Sequence, residues 1–157
     1  MWNELMCFLL FVSAAACAQQ PAPQKMQQLA QAIAKAEGYY VRGSIPQRCA
    51  NPGDIKPGAV RLPGQVGVCK GGHARFRNDA AGWAALDHQI EKIVDGTSRY
   101  SVNMSISEVA RRYAGNHRVW ARNVSHNLKV TPETDLWEIL DVPPTLVLTK
   151  AVVPDTL

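Results

Sequence analysis

Residues 27–40 read QQLAQAIAKAEGYY, and the fold is decided by how this stretch ends. Met26, Leu29, Ala30, Ile33 and Ala34 recur at helical spacing, which predicts a short amphipathic helix from about Lys25 to Glu37. Gly38 is the residue type that closes a helix by turning left-handed. Glu37 falls four residues after Ile33, on the same apolar face. A carboxylate there meets the negative end of the helix dipole and points toward a core rather than water. Both effects favour the protonated form, which is what a general acid needs near neutral pH. The competing reading is a solvated glutamate at a fraying helix end.

Upstream, an apolar run from Leu5 to Val12 is followed by small residues from Ser13 to Ala18. Ala16-Cys17-Ala18 has the small-x-small form of a signal-peptidase site, so residues 1–18 are expected to be a cleaved signal peptide. Glu4 stands where basic residues are usual. An alternative is lipoprotein processing, with a lipid anchor at Cys17, because Ala14-Ala15-Ala16-Cys17 loosely follows a lipobox without its leucine. Residues 19–24, QQPAPQ, read as a polar spacer; 25–142 as one domain; and 143–157 as an apolar tail without clear period. No stretch is long enough to cross a membrane as a stable helix. The expected location is therefore outside the cytoplasm, periplasmic or secreted, and the expected state is a monomer.

With Cys7 and Cys17 assigned to the leader, Cys49 and Cys69 remain as a pair. In an oxidising compartment they would close the loop between them, a link worth about 3 kcal/mol. In a reducing one they would be two buried thiols. The net charge of +4 suits an anionic polymer. Lys and Arg are scattered, without a basic run interleaved with aromatics, so no nucleic-acid signature is present. His73, His88, His117 and His126 follow no metal-ligand spacing, and no phosphate loop or nucleotide fingerprint appears. No metal and no cofactor is expected.

From Gly43 to Asn78 regular periodicity is lost among Pro46, Pro52, Pro57, Pro63 and seven glycines counted from Gly43, so this stretch is expected to hold no helix. Asn51-Pro52-Gly53-Asp54 reads as a type II turn. Extended pieces are expected at Ala59–Leu62 and Val66–Cys69, as a small hairpin. A second helix, capped by Asn78 or Asp79, carries the stripe Trp83, Leu86, Ile90, Ile93 and Val94 and ends at Gly96. Ser105-Ile106-Ser107-Glu108 is a capping box for a third helix that faces inward through Ile106, Val109, Ala110 and Tyr113 and stops at Gly115. A fourth runs from His117 to Leu128, with Trp120, Val124 and Leu128 in register. A short fifth is expected to start at Thr131-Pro132, with Leu136, Ile139 and Leu140 inward. The fold class is mainly α, an α+β arrangement of about five helices with an irregular or hairpin lobe stapled by one disulfide.

Several segments carry a resemblance to a known family. Ala36-Glu37-Gly38 looks like the close of the active-site helix in the lysozyme superfamily, where phage-type enzymes often read Glu-Gly. Arg112-Tyr113-Ala114-Gly115 is similar to the Tyr-x-Ala-Gly signature of lytic transglycosylases, one residue shorter. Cys49-Ala50-Asn51-Pro52-Gly53-Asp54, Gly72-His73-Ala74-Arg75-Phe76 and Gly82-Trp83-Ala84-Ala85-Leu86 follow in the order seen in a small lysozyme-like group. The resemblance spans roughly Met26 to Leu140. It implies a lysozyme-like fold and cleavage of the β-1,4 bond between N-acetylmuramic acid and N-acetylglucosamine in peptidoglycan glycan strands, with Glu37 as the acid.

A lytic transglycosylase needs one glutamate, which then acts as base on the muramic C6 hydroxyl and yields an anhydro product. An inverting hydrolase needs a second carboxylate, for which Asp54 is the candidate and Asp79 the weaker one, since a helix cap explains it. Tyr113 is expected to support Glu37 by hydrogen bonding to it or to sugar; a core tyrosine is the competing reading. Ser44, Asn51 and Phe76 are candidate sugar contacts along a groove between the first helix and the Ser44–Phe76 lobe. Trp83 and Trp120 read as core. Cys49 as a thiol nucleophile with His73 is the least favoured chemistry. The rivals from other classes are a non-catalytic wall-binding or phage-derived structural module, and a disulfide-stapled glycan-binding protein.

Overall fold

The structure, a computed structural model, describes residues 23–144. The expected signal peptide, the candidate lipid-anchor Cys17 and most of the 143–157 tail lie outside the described residues. The described residues form six helices and a two-stranded antiparallel sheet, and Cys49 and Cys69 form a disulfide. The protein is thus α+β with helices dominant. Among the described residues no helix is long and apolar enough to cross a membrane.

Helix α1 (Pro23–Ala36) is central and packs on three other helices. It starts inside the expected spacer. It buries Leu29, Ala30, Ala32, Ile33 and Ala34, the face its spacing predicts plus one alanine. Its end is a Schellman motif: Tyr39 N–H donates to Ala34 O at 2.9 Å and Gly38 N–H to Lys35 O at 3.1 Å. Gly38 takes φ 75°, the left-handed conformation that glycine adopts without steric cost. Glu37 is thereby fixed at the cap position, one residue past the end of α1.

Helix α2 (Ile45–Arg48) corrects the expectation of no helix in this region. Ser44 caps it, accepting from Gln47 N–H at 3.2 Å, while Gln47 Oε1 accepts from Gly43 N–H at 2.6 Å. Pro46 is tolerated because the first turn has no intrahelical use for its missing N–H. The hairpin also differs: β1 (Gln65–Val68) pairs with β2 (Ala74–Phe76), not with Ala59–Leu62, and Cys69 N–H closes on His73 O at 2.7 Å. The 51–54 turn is closed by Asp54 N–H on Asn51 O at 3.0 Å. Type II geometry is not adopted, because the left-handed residue is Asp54 (φ 46°) rather than Gly53. Gly53 is needed for space instead, since a Cβ there would stand 2.9 Å from Leu86 Cδ1.

Helix α3 (Asp79–Val94) is capped by Asn78, whose Oδ1 accepts from Ala81 N–H at 2.9 Å. Asp79 is its first residue. Helix α4 (Ile106–Tyr113) carries the Ser105/Glu108 capping box, and Ala114 ends it in extended conformation, so Gly115 is not the stop. Helix α5 runs His117–Leu128 as its pattern predicts, ending on left-handed Lys129. Helix α6 (Leu136–Leu140) starts later than expected, because Thr131–Thr134 folds into its own turn and Asp135 takes the cap position. One core gathers Leu29, Ile33, Leu86, Ile90, Ile106, Val109, Trp120, Val124 and Leu140. Phe76, Ala74 and Ala85 make a smaller cluster under the lobe.

Helix α3 meets the lobe through Gly82, where any Cβ would overlap the Ala50 carbonyl oxygen. Gly82→Ala should therefore cost at least about 2 kcal/mol, by overpacking a contact that backbone cannot yield. An unchanged urea midpoint would show that the approach is looser than described.

Candidate functional site

Glu37 reaches from the end of α1 toward α5. Trp120 Nε1–H donates to Glu37 Oε1 at 2.6 Å, across 83 positions of sequence. The carboxyl is half-buried, and its pKa is raised from 4.5 to about 7. Burial is the largest cause. The Trp120 bond opposes it by favouring the ionised form; the Asp54 charge adds to the rise and His73 opposes it. Burial is one of the two causes expected from the helix-end position of Glu37.

The lobe delivers the other groups. Asn51 is fully buried; its Nδ2 donates to Ile55 O and to Ala74 O, each at 2.9 Å, and its Oδ1 accepts from Ile55 N–H at 2.9 Å. These bonds stitch the 51–55 turn to β2 without a sheet ladder. Ala50 (φ 49°) and Asp54 (φ 46°) bracket that turn in the left-handed region, a conformation that costs non-glycine residues about 1 kcal/mol or more. Such strain persists only where surrounding bonds overrule it, and here the Asn51 bonds do so.

Asp54 is presented beside His73, whose Nδ1 lies 2.9 Å from Asp54 Oδ1 and 3.1 Å from Asp54 O. Oδ1 is buried and has no aligned hydrogen-bond donor, so His73 Nδ1 bonds the Asp54 backbone oxygen and only approaches the carboxyl. Burial raises the Asp54 carboxyl above its usual value, against His73 and then Lys56. Tyr113 donates its hydroxyl proton to Gly53 O, pinning α4 to the turn. Burial first, then the Glu37 and Asp54 charges, hold that hydroxyl well above the usual tyrosine range. Its ring lies 5.0 Å from that of Trp120.

Glu37, Asp54, His73, Tyr113 and Trp120 therefore form one polar cluster between helices and lobe. Tyr113 supports it by holding the lobe, not by bonding Glu37. Three expected sugar contacts are placed otherwise. Asn51 has no exposed surface and Phe76 is 3% exposed, so neither faces a ligand. The Ser44 hydroxyl is engaged at the cap of α2. Tyr40, two positions past Gly38, is 57% exposed and meets the Tyr39 ring edge-on at 5.4 Å. Trp120 is core, as expected, but its indole N–H is a site group that periodicity does not reveal. The disulfide excludes Cys49 as a free thiol. Among the described residues no group of His, Cys, Asp or Glu is arranged to hold a metal ion.

No protein-family model, curated protein sequence or solved structure matches the chain.

Two measurements check the electrostatics. Carboxyl-carbon NMR titration should place Glu37 near pH 7, and Trp120→Phe should raise it further, because the bond removed favours the ionised form. For stability, the folded state binds the Glu37 proton more tightly than the unfolded chain. Wild type should therefore lose stability relative to Glu37→Gln as pH rises from about 4.5 to about 7, and hold a constant difference above that. A stability difference that does not change across this window would show that Glu37 titrates normally.

Proposed function

We propose that the protein is a peptidoglycan-cleaving glycosidase of lysozyme-like fold, exported to the cell-wall compartment, with Glu37 as its acid/base. The observation that carries this reading is a half-buried carboxyl at a helix end, raised to about 7 and oriented by Trp120. Since Oε1 accepts from the indole, the proton sits on Oε2, free to be given to a glycosidic oxygen. As that bond breaks and positive charge builds on the muramic ring, Glu37 becomes a carboxylate and Trp120 stabilises it. The carboxylate then takes the C6 hydroxyl proton, the C6 oxygen closes on C1, and an anhydro sugar leaves. The acid form of Glu37 is thereby restored.

Asp54 supports a second course with the same first step. It lies close enough to act on the Glu37 charge and has its own raised carboxyl beside His73. As an ionised base it would activate a water on the opposite face of the sugar, giving a hydrolytic product.

Glu37→Gln should fold as wild type and lose wall lysis in a zymogram by about a thousandfold or more. Full lysis by this variant would remove the assignment, and wall binding without turnover in wild type would favour a binding module. Mass analysis separates the two courses, since the anhydro fragment is lighter by one water. Activity should fall as pH rises through about 7, because the acid form is required. Asp54→Asn should abolish the hydrolytic course and spare the anhydro one.

A further inference from the structure

Helix α5 has a second working side. Arg118 and Arg122 each lie two positions from Trp120, which puts them about 160° around the helix from the indole that holds Glu37. They look into a cleft of ≈ 390 Å³ lined by Ser107 and Arg111 of α4, His117, Arg118, Ala121 and Arg122 of α5, and Pro132 and Glu133 of the following turn. Ser107 and Arg111 stand one turn apart on one wall. Arg118, Ala121 and Arg122 occupy successive ridge positions on the other, with buried Ala121 as the floor.

The arginine charges in this cleft have no ion-pair partner among the described residues. Arg111, Arg118 and Arg122 are all exposed. Arg111 at least sits in the last turn of α4, where a cation complements the dipole. Arg118 has no such reason: it occupies the first turn of α5, which carries no acidic residue, where a cation meets the positive helix end and costs about 0.3–1 kcal/mol. Three arginines thus line one cleft, with Glu133 the single carboxylate among its lining residues. An arrangement that opposes stability and meets in a concave space is built for an anion.

We propose that this cleft binds a small soluble ligand bearing two phosphoryl groups, clasped between Arg111 on one wall and Arg118 and Arg122 on the other. Donors arriving from two helices are not coplanar. They suit tetrahedral phosphoryl groups with three acceptor oxygens each, better than a planar carboxylate with two. The volume is more than ten times the roughly 30 Å³ share of a liquid water, which leaves room for two such groups. Glu133 opposes the ligand and limits its affinity.

The experiment is calorimetric titration of the protein with inorganic pyrophosphate at physiological salt. The expected result is one site with a Kd below about 1 mM. Orthophosphate and citrate should each bind at least tenfold more weakly. Arg118→Gln with Arg122→Gln should weaken pyrophosphate at least tenfold, and Glu133→Gln should tighten it about twofold to threefold. All three positions are exposed, and thermal melts without ligand check that the variants fold. Lys25→Gln with Lys35→Gln removes the same charge from exposed positions of α1 that do not line the cleft and should leave binding within twofold. The proposal is overturned by the absence of saturable binding, by equal loss in the Lys25/Lys35 pair, or by citrate binding as tightly as pyrophosphate. None of these results touches the Glu37 chemistry, which lies across α5.

Discussion

The lobe stands on the Asn51 side chain. The short β1–β2 ladder leaves the 51–55 turn outside it, and buried backbone groups left unpaired cost about 1–3 kcal/mol each. Asn51 satisfies Ile55 N–H, Ile55 O and Ala74 O at once, from a position with no exposure. From that anchor the neighbouring atoms take their places. Gly53 offers its carbonyl to Tyr113, Asp54 turns left-handed toward His73, and the Cys49–Cys69 bond and the Cys69–His73 backbone bond hold the hairpin beneath. A residue whose sequence context suggested contact with ligand is instead what makes a ligand-facing surface feasible.

The state of Glu37 is a contest of opposed terms rather than the product of one. Burial and the Asp54 charge push the proton on; the Trp120 bond and His73 push it off. Burial wins, but by a margin that leaves the group titrating near neutrality, where an acid/base must both give and take a proton. A drier pocket without the indole would hold the proton too tightly to release it. A wetter one would leave a permanent carboxylate. Trp120 thus sets the balance while also filling the core.

The helices were legible because burial and period coincide in them. The Leu29–Ile33 stripe, the Ser105–Glu108 box and the Trp120–Val124 register each follow from side-chain spacing alone, and the Cys49–Cys69 pairing from counting. The lobe was not legible, because its geometry comes from single side chains bonding distant backbone. Nothing local distinguishes an asparagine that will accept and donate three times in the core from one that will sit in a turn. Helix α2 is a different failure. Ser44-Ile45-Pro46-Gln47 is a capping pattern with proline in the tolerated first turn, obscured by the prolines and glycines around it. In the site, Glu37 was visible from its place at a helix end, and Asp54 and Tyr113 from motif order. Trp120 was read correctly as core, yet its polar edge has no periodic signal; a buried indole N–H always needs an acceptor, and that need was the available clue.

The contacts that define the Glu37 environment are all long in sequence. Its partner indole lies 83 residues downstream, and the bond from Tyr113 to Gly53 spans 60. An emerging or unfolded chain holds only an ordinary exposed glutamate, with no indole, no aspartate nearby and no reason to stay protonated. The raised Glu37 carboxyl exists only once α5 has docked on α1 and the lobe has met α4. Any chemistry that needs its proton is thereby confined to the folded chain, and long-range topology rather than local sequence decides when the group exists.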